Sequence, residues 1–141
     1  ANPLYRAWHG DGVLEPVKAD TVATAIKIGN PISFTKSITR VRRSGGTVAE
    51  VTDAEILDAK AQVDAAGIGA EPASCATVAG IRKLVSQGTI APGESVVGVL
   101  TGHLLKDSEI VVDYHQSDAE HANRPVQVEA TYAAVSSAFA S

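Results

Sequence analysis

The stretch Thr47–Gly88, "TVAEVTDAEILDAKAQVDAAGIGAEPASCATVAGIRKLVSQG", decides how the fold is read. Its first five residues, Thr47–Val51, are a short β-branched run that reads as a strand. Thr52-Asp53-Ala54-Glu55 has the Thr-x-x-Glu spacing of a capping box and opens a helix. Ile56, Ala59, Val63 and Ala66 recur at helical spacing, and Gly67 supplies the stop. Ile68–Ala70 reads as a second strand, and Glu71-Pro72 places proline in a first helical turn. The helix from Ala73 to Gln87 carries a small inner face (Ala73, Ala76, Thr77, Gly80), then Ile81 and Leu84, and Gly88 ends it. Just beyond, "SVVGVL" (Ser95–Leu100) is apolar on both faces, as buried parallel strands are.

Strand, helix, strand, helix, strand predicts an α/β fold: a three-layer, parallel-strand βαβαβ core over residues 47–107 with right-handed crossovers. Ligands of such sheets bind at the carboxyl ends of the strands. Those ends are Thr52-Asp53, Glu71-Pro72-Ala73-Ser74 and Thr101-Gly102-His103. The flanks are less regular. Residues 1–46 read as a helical lead-in, with short helices over Asp20–Ile28 and Ser33–Arg43. Residues 108–141 read as a C-terminal extension in which His115–Pro125 is a surface loop. Val128, Tyr132, Val135 and Phe139 form the apolar stripe of a final helix.

At 141 residues the chain suits a single domain, and 45% hydrophobic with 20% charged residues is ordinary soluble composition. A net charge of −4 gives no sign of a nucleic-acid surface, and Lys36, Arg40, Arg42 and Arg43 read as a solvated helix face. No apolar run approaches the roughly 20 residues that span a bilayer, so no membrane partner is expected. The single cysteine, Cys75, excludes a disulfide within the chain and suits a reducing, cytoplasmic compartment. It reads as a packed thiol. His9, His103, His115 and His121 lack ligand spacing, so no metal site is expected. Neither a Gly-x-Gly-x-x-Gly nor a Walker pattern occurs. Glu71 could act as acid, base or cofactor partner, or simply as a helix-start carboxylate.

Three blocks carry more than any of these residues alone: "ATAIKIGNP" (Ala23–Pro31), "EPASCATVAGIRKL" (Glu71–Leu84) and "LTGHLLKD" (Leu100–Asp107). In this order, over about Asn2 to Tyr114, they resemble the C-terminal portion of the threonine synthase family. These are pyridoxal-phosphate enzymes of the tryptophan-synthase-β-like group (fold type II), in which the chain would be part of the large cofactor-binding domain. The resemblance implies a lyase of threonine biosynthesis that turns O-phospho-L-homoserine and water into L-threonine and phosphate. Pyridoxal 5'-phosphate would be its cofactor. Thr101 matches the family threonine whose hydroxyl faces the cofactor's pyridine nitrogen. Ala23 and Thr24 match a segment near the ring, and Glu71 and Ser74 match residues lining the cofactor end of the cleft.

The family also needs a Schiff-base lysine in a Ser-Phe-Lys-Asp-like motif and a Gly-Asn-rich loop for the cofactor phosphate. This sequence has neither, and "SFTK" (Ser33–Lys36) lies where the family has a different helix. Residues 1–141 alone are therefore expected to be inactive, with an N-terminal segment of the same enzyme as a partner and a homodimer left open. Lys27 stands where arginine is frequent, and Leu104 where glycine is usual, which stiffens the turn after His103. Two other readings stand beside this one. The first is a non-catalytic small-ligand-binding or interaction domain derived from such an enzyme. The second is another fold-type-II lyase, a threonine or serine dehydratase.

Overall fold

A computed structural model describes residues 1–140. The helices are α1 (Pro3–His9), α2 (Phe34–Arg43), α3 (Asp53–Ala65), α4 (Pro72–Ser86), α5 (Ser108–Gln116) and α6 (Tyr132–Phe139), with a 3-10 turn at Thr24–Ile26. The caps set the limits of α3. Thr52 Oγ1 accepts the Glu55 N–H at 3.2 Å and the Glu55 carboxylate accepts the Thr52 N–H at 2.6 Å, closing both halves of the expected box. Gly67 at φ 77° follows the helix, a left-handed turn that costs glycine nothing. Pro72 opens α4, and Gly88 at φ 72° closes it in the same way.

The core lies where α3 meets α4. Ile56, Ala59 and Val63 of α3 cluster with Cys75 and Ala79 of α4, and Ala23 and Ala70 join them. Ala59 and Cys75 are fully buried, and such small side chains let two helices pack closely. Lys60 is buried beside them with its ammonium paired to Asp64 one turn on. The deepest burial on α4 falls on Pro72, Ser74, Cys75 and Ala79, while Ala73, Ala76, Thr77, Gly80, Ile81 and Leu84 are half-buried. Ile81 and Thr77 stand over Gly98, so α4 serves two neighbours: α3 on one side and the Ser95–Leu100 segment on the other.

Among the described residues, β pairing is limited to one antiparallel bridge, Ala70 with His103. Thr47–Val51 and Ser95–Leu100 form no ladder. Val97 and Val99 are 87% and 65% exposed, an apolar surface without a neighbouring strand. In the lead-in, Asp20–Ile28 is not a full helix. Only Thr24–Ile26 turns: Asp107 takes the Thr24 N–H that a helix begun at Asp20 would use, and Asp53 accepts the Val22 N–H, both at 3.1 Å. The α2 helix forms as expected after Ser33, and Arg42 lies 5.6 Å from the Trp8 ring of α1.

Beyond the core, α5 docks on α3 through Tyr114, whose hydroxyl donates to Asp58 at 2.6 Å. Gln62 and His121 add a 2.7 Å contact. The apolar stripe of the final helix is exposed, with Tyr132 and Phe139 at 90% and 89%. The last residue of the expected extension, Ser141, lies outside the described residues. No helix among those described is long and apolar enough to cross a membrane.

Candidate functional site

Ser74 sits in the first turn of α4, almost completely buried, and its hydroxyl organises the end of the Ser95–Leu100 segment. Ser74 Oγ accepts the backbone N–H groups of Thr101 and Gly102, each at 2.9 Å. Both lone pairs are then occupied. The remaining 3.4 Å contact, between Ser74 Oγ and Thr101 Oγ1, therefore runs with Ser74 as donor. Thr101 is exposed, and its own hydroxyl proton is left for an acceptor outside the chain.

Glu71 is the second anchor. Its N–H donates to the Gly102 carbonyl at 3.0 Å, next to the Ala70–His103 bridge. Its side chain is 3% exposed, and its Oε2 accepts no hydrogen bond of good geometry but is ion-paired with the Lys106 ammonium at 3.3 Å. Gly102 is required by this packing, since a Cβ there would fall 1.8 Å from Glu71 Oε1. Gly69 has the same role under Leu104: a Cβ at residue 69 would lie 2.2 Å from Leu104 Cδ2. The bulky residue after His103 is thus accommodated by the bare backbone beneath it.

The loop 101–107 also reaches the lead-in. The Asp107 carboxylate accepts the Thr24 N–H at 3.1 Å and the Thr24 hydroxyl at 2.7 and 2.9 Å. Asp53, at the start of α3, accepts the Thr21 hydroxyl at 2.6 Å and holds the same segment from its other side. Thr101, Ser74 and Glu71 are therefore brought together around Gly102, and Thr24 is tied to the same loop. Ala23 is fully buried in the core, one residue before Thr24. Lys106, Asp107, Gly102 and Asp53 carry contacts that the sequence does not announce, although Gly102 and Asp53 stand at expected strand ends. Three of them lie inside the "LTGHLLKD" block, which was the available signal.

Burial pushes the Cys75 thiol up to about 11, against an ordinary 9.0, so it stays protonated and packed as expected. The backbone N–H of Thr52 holds Glu55 below the usual carboxylate value. A groove of about 810 Å³ runs between Pro3–Tyr5, Val48–Asp53 and the Ala76, Thr77 and Gly80 side of α4. Thr101, Ser74 and Glu71 do not line it. Its lining includes Thr21 and Asp53, the pair that holds the lead-in segment.

A family model described as pyridoxal-phosphate dependent enzyme matches residues 1–102. The chain is similar to a threonine synthase of Methanosarcina acetivorans, 58% identical over 97 residues, covering 67% of this chain and 24% of that protein. It is similar to a threonine synthase of Halalkalibacterium halodurans, 44% identical over 112 residues, covering 74% of this chain and 32% of that protein. It is also similar to threonine synthase 2, chloroplastic, of Arabidopsis thaliana, 35% identical over 144 aligned positions, covering 96% of this chain and 28% of that protein. The chain thus spans about a quarter to a third of the length of these relatives.

Proposed function

This chain belongs to the pyridoxal-phosphate dependent enzymes, and from that premise we propose that it serves a threonine synthase. The full protein would convert O-phospho-L-homoserine and water to L-threonine and phosphate, as a carbon–oxygen lyase acting on a phosphate ester. One observation carries the reading: relatives from an archaeon, a bacterium and a plant bear that one name, at up to 58% identity. Thr101, Ser74, Glu71, Ala23 and Thr24 are the proposed cofactor-side residues.

The side chains present suit one edge of a pyridoxal ring. Thr101 offers a hydroxyl donor, and the buried Glu71 carboxylate, ion-paired with Lys106, packs on Gly102, the residue after Thr101. Neither is a phosphate cradle. When bound, pyridoxal phosphate supplies an electron sink for carbanion chemistry on the amino-acid substrate. Thr101 Oγ1 would donate a hydrogen bond to the pyridine nitrogen and, being neutral, would not favour a protonated ring as a carboxylate would, so the sink it leaves would be a mild one. Ser74 keeps the hydroxyl proton pointed outward by occupying Thr101 Oγ1 from behind. Lys106 partly balances the Glu71 charge at the rim of the site.

In this reading Thr47–Val51, Ile68–Ala70 and Ser95–Leu100 are strands of a parallel sheet, and residues 47–107 are part of a fold-type-II cofactor domain. Their partner strands lie in the length of the relatives that this chain does not span. The exposed valines 97 and 99 support it, because each is an apolar side chain without a covering layer. Residues 1–46 lead in and 108–141 extend the domain. Residues 1–141 alone, lacking the Ser-Phe-Lys-Asp-like motif, are inactive. The proposed compartment is the cytosol, supported by the single packed thiol.

The test is a product assay on the full-length protein loaded with pyridoxal phosphate. O-phospho-L-homoserine should yield L-threonine and inorganic phosphate in equal amounts. Deamination of L-threonine without phosphate release from O-phospho-L-homoserine would instead identify a dehydratase.

A further inference from the structure

We infer that Asp107 is a positioning residue for the candidate cofactor site, acting through Thr24 on the side opposite Thr101. The inference rests on the cofactor reading above. Asp107 stands at the start of α5 with φ 56° and ψ 34°, the one left-handed residue other than glycine among those described. Asn and Asp tolerate that conformation better than other side-chain-bearing residues. From there its carboxylate takes both polar hydrogens of Thr24, the N–H and the O–H, across 83 residues of sequence.

Two consequences follow from the chemistry of the contact. The Thr24–Ile26 turn, which packs on α4, is fixed to the same loop that Ser74 and Glu71 hold. The hydroxyl of Thr24 also acquires a defined polarity. With its proton committed to Asp107, Thr24 Oγ1 presents only lone pairs to solvent. Thr101 thus offers a proton and Thr24 offers an acceptor, from opposite ends of one loop-held cluster. A ligand edge bearing an N–H or O–H is favoured at Thr24, and an anionic group is disfavoured there.

The experiment compares Asp107→Gly, Asp107→Asn and Thr24→Val in the full-length protein. Glycine keeps the left-handed backbone and removes all three contacts, while asparagine keeps one acceptor oxygen. The readouts are pyridoxal phosphate affinity by fluorescence titration and hydrogen exchange of the segment 21–26. Asp107→Gly and Thr24→Val should each weaken cofactor binding about tenfold, and Asp107→Asn by less. The double variant Asp107→Gly/Thr24→Val should be no worse than either alone. Exchange of residues 21–26 should rise in Asp107→Gly. Wild-type affinity in Asp107→Gly, or in Thr24→Val should the Asp107 variants fail to fold, overturns the inference. A wild-type protein that takes up no pyridoxal phosphate overturns it together with the proposed function. Uptake without threonine formation overturns the proposed reaction alone and leaves the Asp107 comparison intact.

Discussion

Replacing Ser74 with alanine removes one oxygen and one of the two anchors that tie the start of α4 to the loop that carries Thr101. The hydroxyl is buried, and it accepts two backbone N–H groups at 2.9 Å. A hydrogen bond of this kind contributes about 0.5–1.5 kcal/mol net, so losing two costs about 1–3 kcal/mol. The cost lies toward the middle of that range. Thr101 is exposed and its N–H can turn to water, whereas Gly102 is half-buried under Glu71. About 2 kcal/mol corresponds to roughly a 30-fold rise in local opening. Hydrogen exchange of a peptide covering residues 99–103 in the full-length protein reads this directly. The substitution also frees Thr101 Oγ1 from its donor, so cofactor affinity should fall along with protection. Unchanged exchange across 99–103, in a folded Ser74→Ala protein, would refute the claim that Ser74 organises this loop.

Three other expectations can be checked on the same protein. Gly102→Ala places a Cβ 1.8 Å from Glu71 Oε1 and should lower the melting temperature, whereas Gly102→Ala/Glu71→Ala should recover part of the loss. Equal melting temperatures for the single and double variants would contradict the packing. Thr101→Val should retain the cofactor but lose about 0.5–1.5 kcal/mol of interaction at the ring, and Thr101→Asp should alter the ratio of threonine to side products, both read by kinetics and product analysis. Burial, helped by the hydrogen bond to Asp58, pushes Tyr114 up from an ordinary 10.0 to about 12. A pKa raised on folding contributes stability that is complete below the unfolded value and is lost through the folded one. The docking of α5 should therefore weaken between about pH 10 and pH 12, and Tyr114→Phe should remove that dependence in a denaturation series.

The parts of the fold that the sequence announces are those whose signals are local. The Thr52–Glu55 box, the Pro72 start and the Gly67 and Gly88 stops each act within one turn, and α3 and α4 form where they say. Asp20–Ile28 shows the opposite case. Its helical pattern is overruled by residues far along the chain: Asp107 takes the Thr24 N–H that a helix would use, and Asp53 holds Val22 beside it. Helix α5 carries Ile110, Val111 and Tyr114 at helical spacing, but its anchor, the Tyr114–Asp58 bond, joins residues 56 apart and leaves no mark nearby. The candidate site divides in the same way. Thr101 and Ser74 are legible as the ends of apolar segments, while the roles of Lys106 and Asp107 emerge only once the loop returns to Glu71 and Thr24. Ala23 was legible as a position but not as a burial, because an alanine carries no sign of which side it faces.

The claim on which the account turns is that the Thr101 hydroxyl donates a hydrogen bond to the ring nitrogen of pyridoxal phosphate. A crystal structure of the full-length protein with the cofactor bound measures it in one distance. The account predicts Thr101 Oγ1 about 2.7–3.2 Å from that nitrogen, with Ser74 Oγ still holding the N–H groups of residues 101 and 102. A ring nitrogen facing another side chain, with Thr101 turned away from the cofactor, would contradict it.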